Sequence, residues 1–410
     1  MSGLYEHTRW PARFGVATVL LVAALGQTSA ARAEAVAVRP TDAAYAFPLT
    51  PNTPAWAALK THDDMLRVTQ VPPSVLRSLS TSALVSTVLS YPLYDDMLAF
   101  DSPQQGFDKI SSRFDGLAVL LERPDAGHEL LARYQAMDPR VPRGASLLEQ
   151  GLYDARFRDL EILLAQDGVR QAMTPADQSA LLIEARRTLA GKGQAADVYG
   201  VTGEAITDLV IGRVVVAESS TARERVRADP ALTAFLLSGE AMGHGLDVLA
   251  GVEALAAPPP ARPLVADSPI TIHTPKGTAV AATQMNSELT AAQIAVDNSY
   301  VASTYPSATR QTNASRKYNC HSYAWYSQST SNNVWINSPG DDKFWLDGSY
   351  LPSYNVGKAG RKVSYRSDDH SAITVNAVQF RSKWGQLPVM LHNYNYCPYN
   401  SSALYYYEHF

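Results

Sequence analysis

Cys320 and His370 have the chemistry of a nucleophile and a proton carrier. The cysteine lies in Tyr318-Asn319-Cys320-His321-Ser322-Tyr323-Ala324-Trp325. Asn319 is a natural helix N-cap, so Cys320 falls in the first turn, where the helix dipole and unpaired N–H groups favour the thiolate. The same N–H groups can hold an oxyanion as a carbonyl carbon is attacked. A thiolate still needs a base. His321 is a poor one on spacing, because adjacent helical residues do not face each other. His370 opens the run His370-Ser371-Ala372-Ile373-Thr374-Val375. Strand alternation puts His370, Ala372 and Thr374 on one face, and Ile373 and Val375 on the other. A histidine at the head of a strand, aimed at a helix N-terminus, is what a Cys–His pair requires.

Plainer readings stand beside this one. The chain has two cysteines, and in an oxidising compartment Cys320 can instead pair with Cys397 in a disulfide. His370 can be a hydrogen-bonded strand-end residue, His392 a structural one, and His409 an exposed one. His62, His128 and His244 are scattered without partners. His321, His370, His392 and a cysteine are of zinc-ligand type, yet no Cys-x-x-Cys or His-Glu-x-x-His spacing accompanies them, so no metal and no other cofactor is expected. Gly357-Lys358-Ala359-Gly360 reads as a turn. Trp325, Trp335, Trp345 and Trp384 fit a small core as well as a sugar-binding groove. Interleaved Lys and Arg are too few for a nucleic-acid surface.

The elements that must position these residues divide the chain. From Thr53 to Ala256 the pattern is helical. Ser102-Pro103-Gln104-Gln105 gives an N-cap, a first-turn Pro and a Gln in order, followed by an apolar stripe of Phe107, Ile110, Phe114, Leu117 and Leu121. Thr174-Pro175-Ala176-Asp177 repeats the start signal before Leu181, Leu182 and Ile183. Further helices are predicted at 74–90, 125–137, 145–166 and 230–252. Pro258, Pro259, Pro260, Pro263 and Pro269 mark a stiff linker, 257–269. Beyond it Gly, Ser, Asn and Tyr rise, and 14 of the 21 tyrosines fall between Tyr300 and Tyr407. β-type runs follow a helix beginning near Asn319: Lys362–Arg366, Ser371–Val375, Val378–Phe380 and Val389–Leu391. The fold class expected is α+β, with an all-α domain over 34–256 and a helix packed on an antiparallel sheet over 270–410.

The first 33 residues read as a secretory signal peptide: Arg9 and Arg13, an apolar run from Phe14 to Gly26, and Ala31-Arg32-Ala33 as the cleavage pattern. The expected location is therefore secreted or periplasmic, with no integral membrane anchor once the signal is removed. Net charge is -4 overall, of which residues 270–410 carry +3 and residues 34–269 carry -9. This contrast suits different surfaces on the two parts.

Asn319-Cys320-His321-Ser322-Tyr323-Ala324-Trp325, Gly360-Arg361-Lys362-Val363-Ser364-Tyr365 and Asp369-His370-Ser371-Ala372-Ile373 together resemble the papain-like domains of NlpC-type and CHAP-type cell-wall peptidases and amidases. The resemblance covers about residues 270–410 and implies Cys320 as acyl-forming nucleophile and His370 as general base and then acid. The third, orienting residue falls at Ser382 by position, with Asn376, His392 and Asn393 as alternatives. Two positions depart from the pattern: Arg361 replaces the Asp that follows Gly, and Ser382 replaces a stronger orienting group. The resemblance implies an exported hydrolase of amide bonds, with peptide or peptidoglycan-type substrates. The other reading is a non-catalytic glycan- or protein-binding scaffold closed by a Cys320–Cys397 disulfide.

Overall fold

The computed structural model describes residues 41–240, 251–252, 254–255 and 267–409. The expected signal peptide, His244 and residues 257–266 of the expected linker lie outside them. Pro40–Phe410 forms one compact unit. Its architecture is α+β: helices dominate to Ser238, and antiparallel sheets dominate after Ser268. Among the described residues no helix is long and apolar enough to cross a membrane.

Local chemistry explains where the helices begin. Thr61, Ser146, Thr174 and Thr290 each accept a hydrogen bond from the backbone N–H three residues on. Asp64, Glu149, Asp177 and Gln293 at those positions reach back to the capping backbone. Ser102 caps Pro103–Ser111 as its spacing predicts. The stripe that follows is not one helix. A break at Phe114 separates Pro103–Ser111 from Asp115–Leu121, although Phe107, Ile110, Phe114 and Leu117 are all buried. The segment 74–90 likewise divides into Pro73–Ser78 and Thr81–Leu89, because Leu79 is extended and Ser80 starts a new cap. Pro230–Ser238 ends at Gly239, whose φ of 73° is the left-handed stop favoured by glycine.

Two helices carry more of the packing than their sequences announce. Ala196–Glu218 is buried along much of its length, so no polar stripe betrays its period. Ala291–Thr304 follows the proline-rich segment yet packs on Leu147–Leu164. Gly151 permits that approach: a Cβ there would lie 2.2 Å from the Ala292 carbonyl oxygen. At the centre of the helical layer, Lys192 donates to Glu161 at 2.8 Å and to the Gly203 carbonyl at 2.9 Å. Tyr134 and Thr207 donate to the other oxygen of Glu161.

The strands are β1 (Ser268–His273), β2 (Ala279–Gln284), β3 (Thr309–Arg310), β4 (Val334–Trp335), β5 (Tyr350–Pro352), β6 (Lys362–Tyr365), β7 (His370–Thr374), β8 (Gln379–Trp384), β9 (Leu387–Asn393) and β10 (Leu404–His409). Ser268 and Pro269, expected in the linker, open β1. One sheet has the order β1-β2-β4 and the other β3-β9-β8-β7-β6-β10-β5. All the ladders are antiparallel.

The helices and the larger sheet share one core, in which Trp384, Tyr396 and Tyr399 join Phe107, Phe157 and Leu209. Polar ties join the segments before Ser238 to those after Ser268. Trp56 donates to the Thr304 carbonyl at 2.8 Å, Tyr300 and Tyr305 both donate to Asp96, and Lys109 meets Asp368 at 2.9 Å. The site below is built across this boundary.

Candidate functional site

Cys320 and His321 begin a short helix that passes into a π-turn, Ser322–Tyr326. Asn319 caps it as expected, accepting from Ser322 N–H at 3.1 Å. The other end of that side chain donates to Asp101 at 3.0 Å and to the Ile336 carbonyl at 2.7 Å, so the cap also fixes two neighbouring segments.

The helix packs on β6, β7 and β8. Ser371 is the strand residue that faces it: its hydroxyl lies 2.9 Å from His321 Nδ1 and accepts from Trp325 Nε1 at 2.8 Å. Alternation along β7 then turns His370 to the opposite face. There its ring stacks on Tyr399, with centroids 3.5 Å apart, and meets the edge of Tyr365 at 5.1 Å. Neither ring nitrogen of His370 finds a hydrogen-bond partner among the described residues. Burial, followed by His392 and His321, holds its pKa well below the ordinary histidine value. The expected Cys320–His370 hydrogen bond is therefore not formed. His370 stands at the strand head as its spacing predicts, but on the side of the sheet away from the helix.

The other expected residues form a separate group. Ser382 lies 2.8 Å from His392 Nε2 and accepts from Trp384 Nε1 at 3.0 Å, while His392 Nδ1 lies 2.8 Å from the Asn393 carbonyl oxygen. Burial lowers the pKa of His392 to about 4, so its imidazole is neutral at pH 7. Asn376 caps the exposed β7–β8 turn, accepting from Val378 and Gln379 N–H. Asn393 is exposed. None of the four hydrogen-bonds to His370. Arg361, which replaces the expected Asp, pairs with Glu408.

Both cysteines are buried free thiols. Cys397 lies among backbone carbonyls, 3.5 Å from that of Tyr394, and burial pushes its thiol up to about 12. The Cys320–Cys397 disulfide is not formed.

A different constellation surrounds Cys320. Its Sγ, a ring nitrogen of His321 and a carboxylate oxygen of Asp101 all lie within 4.8 Å of one another. His321 Nδ1 sits 2.9 Å from Asp341 Oδ2, with both side chains almost fully buried. That contact fixes the ring and leaves Nε2 facing Asp101 at 3.7 Å and Asp369 at 4.0 Å, too far for hydrogen bonds. Asp369 holds this place with φ at 52°, a left-handed conformation that Asp tolerates better than most residues.

Burial and charge oppose each other here. Burial depresses His321, but Asp341 and then Cys320 outweigh it, and the imidazole pKa is raised well above its ordinary value. Burial raises the Cys320 thiol, and His321 is the strongest force in the other direction. Burial likewise lifts Asp101 to about 6 against the pull of His321 and Asn319. Asp101 also lines a cleft of about 60 Å³ walled by Phe100, Met285 and Trp335, with Arg316 and Glu240 at its polar end.

Sequence reasoning missed Asp101, His321, Asp341, Asp369 and Ser371 as a group. The Asp-Asp pairs at 341–342 and 368–369 were its only legible traces, and nothing around Asp101 announces it 219 residues before the cysteine. Comparison with protein-family models, with curated proteins and with solved structures finds no match to this chain.

Proposed function

We propose that the chain is an exported cysteine hydrolase of amide bonds on a papain-like scaffold. In this reading Cys320 is the nucleophile, His321 its proton partner and Asp341 the orienting carboxylate. One observation carries the proposal: a buried imidazole, its Nδ1 held 2.9 Å from Asp341 and its Nε2 without a hydrogen-bond partner, has a ring nitrogen within 4.8 Å of the buried Cys320 sulfur. This is the ordering of nucleophile, imidazole and carboxylate that covalent acyl transfer uses.

In the reaction Cys320 acts as the thiolate of a thiolate–imidazolium pair with His321, and the thiolate attacks the carbonyl carbon. The imidazolium then protonates the leaving amine as the C–N bond breaks. Water adds to the thioester with neutral His321 taking its proton, and the thiol is restored when the acid product leaves. Asp341 stabilises the imidazolium in both half-reactions. Cys320 is 2% exposed, so substrate must part the residues over it, and Asp101, which lies within 4.8 Å of the sulfur, lines a neighbouring cleft. The expected export signal and the mild positive charge of residues 270–410 support a peptide of anionic wall polymer as substrate.

The test is iodoacetamide labelling of Cys320 in the folded protein, read by mass spectrometry beside hydrolysis of peptidoglycan peptides. Labelling and hydrolysis should both fall in His321→Ala and survive in His370→Gln. A Cys320 that stays unlabelled until the protein unfolds would refute the proposal.

A further inference from the structure

The groups around His321 Nε2 are spaced for something other than one another. Asp101 Oδ2 at 3.7 Å and Asp369 Oδ1 at 4.0 Å are beyond hydrogen-bond reach of that nitrogen, which is fully buried and without a partner. Ligands of a tetrahedral zinc ion, with bonds of about 2.0–2.3 Å, lie roughly 3.4–3.6 Å apart. The observed separations exceed that by only a few tenths of an ångström, and Cys320 Sγ lies within 4.8 Å of both the imidazole and Asp101. The remaining nitrogen, Nδ1, is anchored by Asp341 at 2.9 Å, as a metal-bound histidine is usually anchored by a carboxylate behind it.

We infer that Cys320, His321 and Asp101 form a three-ligand site for a zinc-class divalent ion, with the fourth position left to solvent. The ion would occupy the nucleophile and so switch off the proposed hydrolase. That consequence rests on the hydrolase reading; the binding itself does not. On coordination the Cys320 thiol and, where protonated, His321 Nε2 each release a proton to solvent as the Zn–S and Zn–N bonds form. Asp341 does not touch the ion and acts as a positioning residue.

The experiment uses the full chain, reduced and stripped of metal with a chelator. Zn²⁺ is titrated against a chromophoric competitor, and Co²⁺ is added separately to read thiolate-to-metal charge transfer in the near ultraviolet. One ion per chain and a charge-transfer band are expected. Cys320→Ser should abolish the band, and Cys397→Ser should keep it. Asp341→Asn should weaken binding about 10- to 100-fold without changing the stoichiometry. No binding by the folded, reduced protein overturns the inference, as does a band that follows Cys397 instead. Iodoacetamide labelling of the metal-free protein separates the two readings. Zinc binding with an inert thiol leaves the metal site standing and removes the hydrolase. A reactive thiol that zinc does not protect does the reverse.

Discussion

Asp341→Asn is the most informative perturbation of the proposed chemistry. Asparagine keeps the size of the side chain and an oxygen able to accept from His321 Nδ1, so the 2.9 Å contact can persist while its charge is lost. A hydrogen bond to a charged group contributes about 1.5–3 kcal/mol, against about 1 kcal/mol for a neutral one. The difference, about 0.5–2 kcal/mol, is what the imidazolium loses when Cys320 gives up its proton. At about 1.4 kcal/mol per factor of ten, iodoacetamide labelling of metal-free protein at pH 7 should slow about 2- to 30-fold. The Ser371 hydroxyl shares the same nitrogen at 2.9 Å, which argues for the lower part of that range. Asp341→Asn combined with Ser371→Ala should approach the upper part. Rates are read by mass spectrometry of the Cys320 peptide, and urea titration confirms that each variant is folded. Unchanged labelling in the folded double variant would refute the argument, because His321 would then not assist the thiol through its Nδ1 partners.

Other outcomes follow from the fold. Lys192→Met should cost about 3–5 kcal/mol in urea unfolding, because it strands the fully buried Glu161 carboxylate. Lys192→Met with Glu161→Gln should recover much of that loss, and equal losses in the single and double variants would sink this account. Gly151→Ala should lower stability by about 1–3 kcal/mol, since its Cβ would press on the Ala292 carbonyl oxygen. A thermal midpoint matching wild type would show that the two helices are not held at this separation. His392, with a pKa of about 4 against an ordinary 6.5, binds its proton more readily when unfolded. Stability should therefore fall as pH drops from about 6.5 to about 4, by at most about 3 kcal/mol from this residue, and level off below. His370 acts in the same direction. Urea midpoints measured across that window should slope less steeply in His392→Asn.

Local signals in the sequence were dependable, and long-range ones were not. Ser102, Thr174 and Asn319 cap helices as their spacing indicates, because capping involves only residues three apart. The strand runs around 362, 371 and 389 also correspond to β6, β7 and β9, where both faces are covered and burial is nearly continuous. Ala196–Glu218 escaped notice because burial on all sides erases periodicity. For Ala291–Thr304 the capping box Thr290–Gln293 is legible in the sequence, but the sequence reading assigns no helix there. At the site, adjacency argued against His321. That argument concerns side chains on one helix face and is silent about Asp101, which arrives from a distant segment and lies near both residues. For His370, alternation gave the right pairing of residues 370, 372 and 374, but the choice of face depended on Ser371 bonding to the helix, which the sequence does not reveal.

The common core of helices and sheet has a practical consequence. A fragment starting after the prolines would leave behind Asp101, the Lys109 and Arg113 partners of Asp368, and the aromatic surface that covers Trp384 and Tyr399. Cleavage in the 257–266 stretch is another matter, because a nicked chain could stay clasped by those same contacts. Proteolysis there, with the two pieces co-eluting, would mark the helical portion as a permanent half of the structure around Cys320, in the way a shell completes a hinge-less box.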